Sequence, residues 1–311
     1  MRRVPYWQQL AADFALLAVA FIWGVTFVVV KGALDSIGPF YFLAVRFFLA
    51  ALFLVAVHPR VLGGIGRREL RAGGVIGLAL FAGYGFQTVG LQYTGAANAG
   101  FITGLSVVLV PVLAALLTRR PPPVLVVLGV LSATLGLGLL SMQDGLRMGY
   151  GDFLIFCCAV GFAVHILLVG RFAPRHSSFA LAVLQIGTVA VLSLAVAPWV
   201  EVFPARPAPG VLWALAATAI PATSLAFLIQ TKAQQFTSPT HTAVIFTMEP
   251  VFAGLAAWLW GGEGLTPRQL TGGAAIVLGM LVTVVQPFLA APRWRGTKAA
   301  ALQAGGRRVP G

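Results

Sequence analysis

Apolar residues run in ten long stretches, at roughly 13–32, 40–58, 71–92, 97–118, 123–141, 151–170, 178–199, 210–230, 240–260 and 268–290. Polar residues collect in the short gaps between them. A helix crosses the hydrocarbon core of a bilayer with about 20 residues, so each stretch predicts a membrane-spanning helix. The gaps carry turn chemistry: Ile37-Gly38-Pro39, Arg119-Arg120 before Pro121-Pro122-Pro123, Gln143-Asp144-Gly145, and the cluster Pro204, Pro207 and Pro209. The stretches lack the short alternation of an outer-membrane barrel, so the expected class is an all-α membrane protein. The first stretch reads as a span and not as a cleaved leader.

Composition narrows this further. Hydrophobic residues make up 59% of the 311 and charged residues 9%, and mean hydropathy is +0.92. A soluble domain carries about 25% charged residues; this chain could not cover a water-facing surface. The net charge of +13 is unevenly placed. With ten spans both termini lie on one side, and sixteen of the 21 basic residues fall there, four on the other side, and Arg46 within a span. The positive-inside rule puts both termini in the cytoplasm. Basic residues scattered over separate short loops suit orientation and contact with anionic membrane lipids, not nucleic acid.

The sequence repeats itself. An offset of 139 aligns Asp13-Phe14 with Asp152-Phe153 and Arg46 with Gln185. Further along, an offset of 143 aligns Thr94 with Thr237, Ser106 with Glu249, Gly129 with Gly272 and Gly136 with Gly279. The expected layout is a cytoplasmic tail at 1–12, a first repeat of five helices at 13–141, a second at 151–290, and a basic cytoplasmic tail at 291–311. Five spans per repeat is an odd number, so the halves enter the bilayer in opposite directions. Inverted repeats are an architecture of secondary transporters, with the solute site near midplane where the halves meet.

Several segments carry a family resemblance. They are Trp23-Gly24-Val25-Thr26-Phe27, Ala44-Val45-Arg46-Phe47-Phe48, Gln92-Tyr93-Thr94-Gly95-Ala96-Ala97-Asn98, its counterpart Gln235-Phe236-Thr237-Ser238-Pro239-Thr240-His241, and Glu249-Pro250-Val251. In that order the chain resembles the EamA-type transporters of the drug/metabolite transporter superfamily. The resemblance implies a carrier of the bacterial inner membrane, commonly an exporter of amino acids or other small metabolites. It also implies a cavity formed by helices 1, 3, 4, 6, 8 and 9. The two halves differ at Arg120, which holds the position that Glu263 has in the second, and at Pro111, one turn beyond Val107, where the counterpart of Pro250 is expected.

Candidate pathway residues are the polar groups inside the apolar stretches. Glu249 lies near the centre of its span, where a carboxylate costs about 2.5–3.5 kcal/mol and should face the bundle interior or water. It is a candidate for proton coupling. Arg46 could hold a solute carboxylate through a forked pair of hydrogen bonds, or could lock one helix to the next. His165 and His241 could relay protons or be packed, hydrogen-bonded residues. Trp23, Thr26, Tyr84, Gln87, Asn98, Thr103, Ser224 and Gln230 are the uncharged candidates. Gly73–Gly77 and Gly100–Gly104 have the small-xxx-small spacing of close helix contact, within the chain or in a homodimer. No GxxxxGK[ST], HExxH or CxxC motif is present, and the adjacent Cys157 and Cys158 are too close in sequence to clamp a metal. No cofactor is expected. The rival readings are an intramembrane enzyme acting on a lipid or lipid-linked substrate, and a passive channel.

Overall fold

A computed structural model describes residues 5–289 apart from 35, 95, 142–148, 203–207 and 262–265. The described residues are almost entirely helical, with no strand among them. Helix covers each of the ten apolar stretches. The elements are α1 (Tyr6–Ala33), α2 (Pro39–Val57), α3 (Arg67–Gly90), α4 (Ala96–Gly104), α5 (Ser106–Thr118), α6 (Val124–Ser141), α7 (Tyr150–Phe172), α8 (Ser178–Val200), α9 (Pro209–Ala219), α10 (Ala226–Ala233), α11 (Pro239–Phe246), α12 (Met248–Gly261) and α13 (Pro267–Leu289). Seven described helical segments are long and apolar enough to cross a bilayer unaided, and the segments Ile102–Thr118 and Val124–Leu139 are shorter apolar helices.

Three stretches are broken rods. α4 and α5 are parted at Leu105, and α11 and α12 at Thr247. Between α9 and α10 the chain makes a π-helical turn over Ile220–Leu225. Pro221 has no N–H to give, and the N–H of Ala226 reaches the carbonyls of Pro221 and Thr223. The carbonyl of Ala222 is left for other donors. Helix α1 begins at Tyr6, so residues expected in the first tail already belong to a helix.

Large apolar side chains point outward, including Phe48, Leu52, Leu78, Leu131, Leu135, Val191 and Leu194. The interior holds the polar groups Arg46, His165, Gln185, Thr223, Ser224, Gln230 and His241. This inside-out distribution is that of a bundle solvated by hydrocarbon.

The inverted repeat is visible in the glycines. A Cβ on Gly129 would meet Thr283 and lie 2.7 Å from the carbonyl oxygen of Gly279; one on Gly136 would lie 2.5 Å from that of Gly272. Residues 129 and 136 of α6 therefore oppose 279 and 272 of α13, so the two helices run antiparallel. The repeat equates Gly129 with Gly272 and Gly136 with Gly279. A rotation exchanging the halves thus maps one contact onto the other, which places a pseudo-two-fold axis through this crossing. Ser132 ties the same pair by donating to the carbonyl of Ala275 at 2.8 Å.

Elsewhere α3 packs closely on α7, where Gly83 and Gly161 meet backbone to backbone, and on α8, where Gly73 and Gly77 face Leu184 and Thr188. The first GxxxG pair is used inside the chain. Of the second, Gly104 packs on Leu137 and Gly100 faces open space.

Candidate functional site

The π turn gathers the site. Trp23 on α1 donates its indole N–H to the carbonyl of Ala222 at 2.8 Å. From α2, Nε of Arg46 donates to the hydroxyl of Thr223 at 2.7 Å, and a terminal guanidinium nitrogen reaches the Ala222 carbonyl at 3.4 Å. The Thr223 hydroxyl in turn donates to the carbonyl of Thr218 at 2.9 Å. Ser224 lies 3.0 Å from the carbonyl of Ala50, bracing the turn against α2. π-turns inside helices are frequent at functional sites because they offer such unspent carbonyls.

Aromatic rings enclose these groups. The guanidinium carbon of Arg46 sits 5.6 Å from the ring centre of Phe47 and 5.4 Å from that of Tyr84. Phe227 on α10 is the hub, with Trp23 at 5.5 Å, His165 at 5.8 Å, Tyr84 at 6.1 Å and Phe47 at 6.3 Å. Arg46 is 3% exposed, yet no carboxylate among the described residues lies within 4.0 Å of it. A buried cation held only by neutral groups and π faces is costly without a counter-charge.

Glu249 is the second charge here. It is half-buried at the start of α12 and makes no hydrogen bond or ion pair among the described residues. Its carboxylate lies within electrostatic reach of Tyr84 on α3 and Cys158 on α7. Thr103, half-buried on α4, contacts the Cys158 sulfur at 3.9 Å. Two opposite charges from the two halves thus converge on Tyr84 without touching each other.

The other candidates are placed as follows. Thr26 turns its hydroxyl back to the carbonyl of Ile22 at 2.8 Å. His165 has a partner, Gln185 at 2.7 Å, whose amide donates to Thr231 at 2.9 Å; this buried chain ties α7, α8 and α10. Gln230 donates to Gln234 at 3.2 Å, and Gln234 to the carbonyl of Ile166 at 2.9 Å. Gln87 is half-buried on α3. His241 lies with Asp13, away from the π turn. The side chains of Asn98 and Lys31, and residues Gln143-Asp144-Gly145, Pro204, Pro207, Glu263 and the C-terminal tail, lie outside the described residues.

Sequence reasoning named Arg46, Trp23, Tyr84 and Glu249 but passed over Gln185, Thr231 and Phe227. Gln185 entered only as the repeat counterpart of Arg46. That position was the available signal, since a polar residue at an equivalent point of each half marks two interior sites.

A polytopic bundle of two inverted halves, with a buried arginine from one and a half-buried glutamate from the other near their junction, has the layout of a membrane transporter. The EamA-like transporter family matches residues 10–142 and 149–285, one copy for each half, and the chain belongs to that family. An "uncharacterized transporter" of Archaeoglobus fulgidus is 38% identical over 276 residues, covering 88% of this chain and 86% of that protein. The "uncharacterized transporter YyaM" of Bacillus subtilis is 26% identical over 285 residues, covering 86% and 91%. A solved crystal structure shares the fold with a TM-score of 0.74 at 22% identity, over 89% of this chain and 98% of that one.

Proposed function

We propose that the protein is a secondary carrier that exports small organic metabolites, amino acids or similar solutes, across the bacterial inner membrane by alternating access. Ten helices cross the bilayer and both termini lie in the cytoplasm, as the distribution of basic residues favours. One observation carries the substrate class. Arg46 and Glu249 are opposite charges, from different halves, each without a counter-ion among the described residues, and both within reach of Tyr84. A solute bearing a carboxylate and an ammonium group complements both. The carboxylate takes the guanidinium and the ammonium takes Glu249, while Trp23, Tyr84 and Phe227 give the apolar part of the solute its wall. Proton coupling belongs to the same site: a carboxylate at this depth alternates between holding a proton and holding the solute's cation.

The test is transport into proteoliposomes of a labelled panel of amino acids, vitamins and purines, each with and without an imposed pH gradient. Saturable flux of zwitterionic solutes that steepens with the gradient is the expected result. Saturable flux indifferent to the gradient removes the coupling role of Glu249. No flux from folded, inserted protein removes the carrier reading.

A further inference from the structure

Asp13 and His241 form a buried pair that the site above does not use. The carboxylate on α1 and Nε2 on α11 lie 3.2 Å apart, with the side chains 7% and 4% exposed. The approach is close enough for an ion pair but is not aligned as a hydrogen bond. Both carboxylate oxygens and Nε2 are buried without a hydrogen-bonding partner, as is the hydroxyl of Thr237 in the turn before α11.

The repeat gives this pair a counterpart with opposite chemistry. Asp152, equivalent to Asp13, accepts from the hydroxyl of Thr94 at 2.5 Å and from the backbone N–H of Gly149 at 3.0 Å. Thr94 is equivalent to Thr237, and Asn98 holds the position of His241. Asp152 is the third residue of its helix, where backbone N–H groups are free. Asp13 is the eighth residue of α1, where they are already taken. Each end of the bundle therefore closes a cross-half contact on the same carboxylate. One end is satisfied by neutral donors; the other has only a titratable ring.

No other ion pair to Asp13 or His241 is seen among the described residues. The same end also carries Glu69 and His176, 3.1 Å apart on α3 and in the turn after α7, and the exposed Arg67, Arg68, Arg71 and Arg175. Among the described residues, α4, α6 and α9 carry no ionisable side chain. Lys232 of α10 is exposed over Phe236 at 5.3 Å, and Arg119 after α5 and Arg171 on α7 are exposed. His165 on α7 is held by Gln185. Cys157 and Cys158 lie two turns before His165 on α7, and Glu249 is two turns beyond His241 at the start of α12. Arg268 on α13 binds the carbonyl of Leu139 at the opposite end.

We infer that Asp13 and His241 are a proton-binding latch, closing the end of the bundle that carries the chain termini only when the pair holds one proton. Closed and dry, a bare carboxylate beside a neutral ring leaves one charge uncompensated, and one proton on either partner removes it. Opened, the two groups separate into water and the proton leaves. The closed form binds the extra proton, so lowering pH favours closure; a single proton permits at most about a tenfold change in the closed-to-open ratio per pH unit. The latch rests on the carrier reading, because opening and closing this end are steps of that cycle.

The test uses the full chain in liposomes, with no solute needed. Nitroxides are placed at Trp7→Cys and Thr240→Cys, in a Cys157→Ser, Cys158→Ala background, and at Gln92→Cys and Tyr150→Cys for the opposite end. Pulsed dipolar distances are read between about pH 8 and about pH 5, where an ordinary imidazole changes charge. The expected result is a short-distance population at the terminal end that grows as pH falls, with the growth lost in His241→Gln and in Asp13→Asn. Wild-type distances that ignore pH overturn the latch without recourse to any variant, as does a His241→Gln protein that titrates like wild type. Ends that interconvert without pH dependence remove the latch and leave the carrier. A terminal end that titrates while the solute panel stays blank leaves the latch and removes the carrier.

Discussion

The indole of Trp23 and the carbonyl of Ala222 are joined at 2.8 Å across the interface of the two halves. The bond exists because the π turn after Pro221 sends the N–H of Ala226 elsewhere. A local irregularity in one half is thereby converted into a specific contact with the other, at the point where Arg46 also reaches the backbone.

Trp23→Phe keeps the ring packing on Phe227 and Phe246 but removes the donor. Hydrogen bonds between helices in a bilayer are worth about 0.6 kcal/mol on average and about 1.7 at most. Thermal unfolding in detergent should therefore report a loss of about 1 kcal/mol. Trp23→Ala, which also empties the space, should lose about 3 kcal/mol or more.

Arg46→Met separates stability from transport. Replacing a buried, unpaired cation by an apolar chain of similar length relieves its desolvation, so the melting temperature should hold or rise. Saturable uptake of carboxylate-bearing solutes should fall at least tenfold, the loss of one charge-assisted contact of about 1.5–3 kcal/mol. A variant that is both less stable and fully active would show that Arg46 locks helices and does not hold solute.

Glu249→Gln preserves shape and removes charge. Flux of zwitterionic solutes should drop, and the response to an imposed pH gradient should disappear with it. Unchanged flux with an unchanged pH response would assign Glu249 to structure.

Gly136→Ala and Gly187→Ala should move stability in opposite directions. A Cβ on Gly136 would lie 2.5 Å from the carbonyl oxygen of Gly272 and 2.8 Å from the nitrogen of Ile276, backbone atoms that cannot step aside. Forcing α6 and α13 apart should cost about 1–3 kcal/mol. Gly187 in α8 has nothing within 4 Å of its Cβ position, so alanine there should stabilise by about 0.5–1 kcal/mol through helix propensity. Chemical denaturation of the two proteins compares them directly.

The all-helical, duplicated architecture was legible because hydropathy acts on every residue of a span and the repeat offsets on many pairs at once. The break at Thr247 falls one turn before Pro250, which has no N–H to give, and the one at Leu105 follows Gly104, but neither residue alone foretells that the helix parts there. Pro221 sits in the third irregularity, but a proline does not foretell that the Ala222 carbonyl goes to Trp23 and Arg46, which depends on three helices meeting. Glu249 and Arg46 stood out by cost alone. Asp13 did not: near the start of an apolar stretch it reads as a rim residue. Its burial follows from α1 running seven residues before it and from His241 arriving more than two hundred residues later. His165 looked solitary for the same reason, its partner Gln185 lying on the next helix.

The two glycine contacts of α6 and α13 are one contact seen twice, because the halves are copies related by a two-fold. In a pair of separate five-helix chains, one codon change would strike both contacts together. Joined end to end, the halves can change one contact and keep the other. That freedom is already visible at the two carboxylates, where the copies of one aspartate have acquired different partners, and it lets a symmetric scaffold acquire a direction.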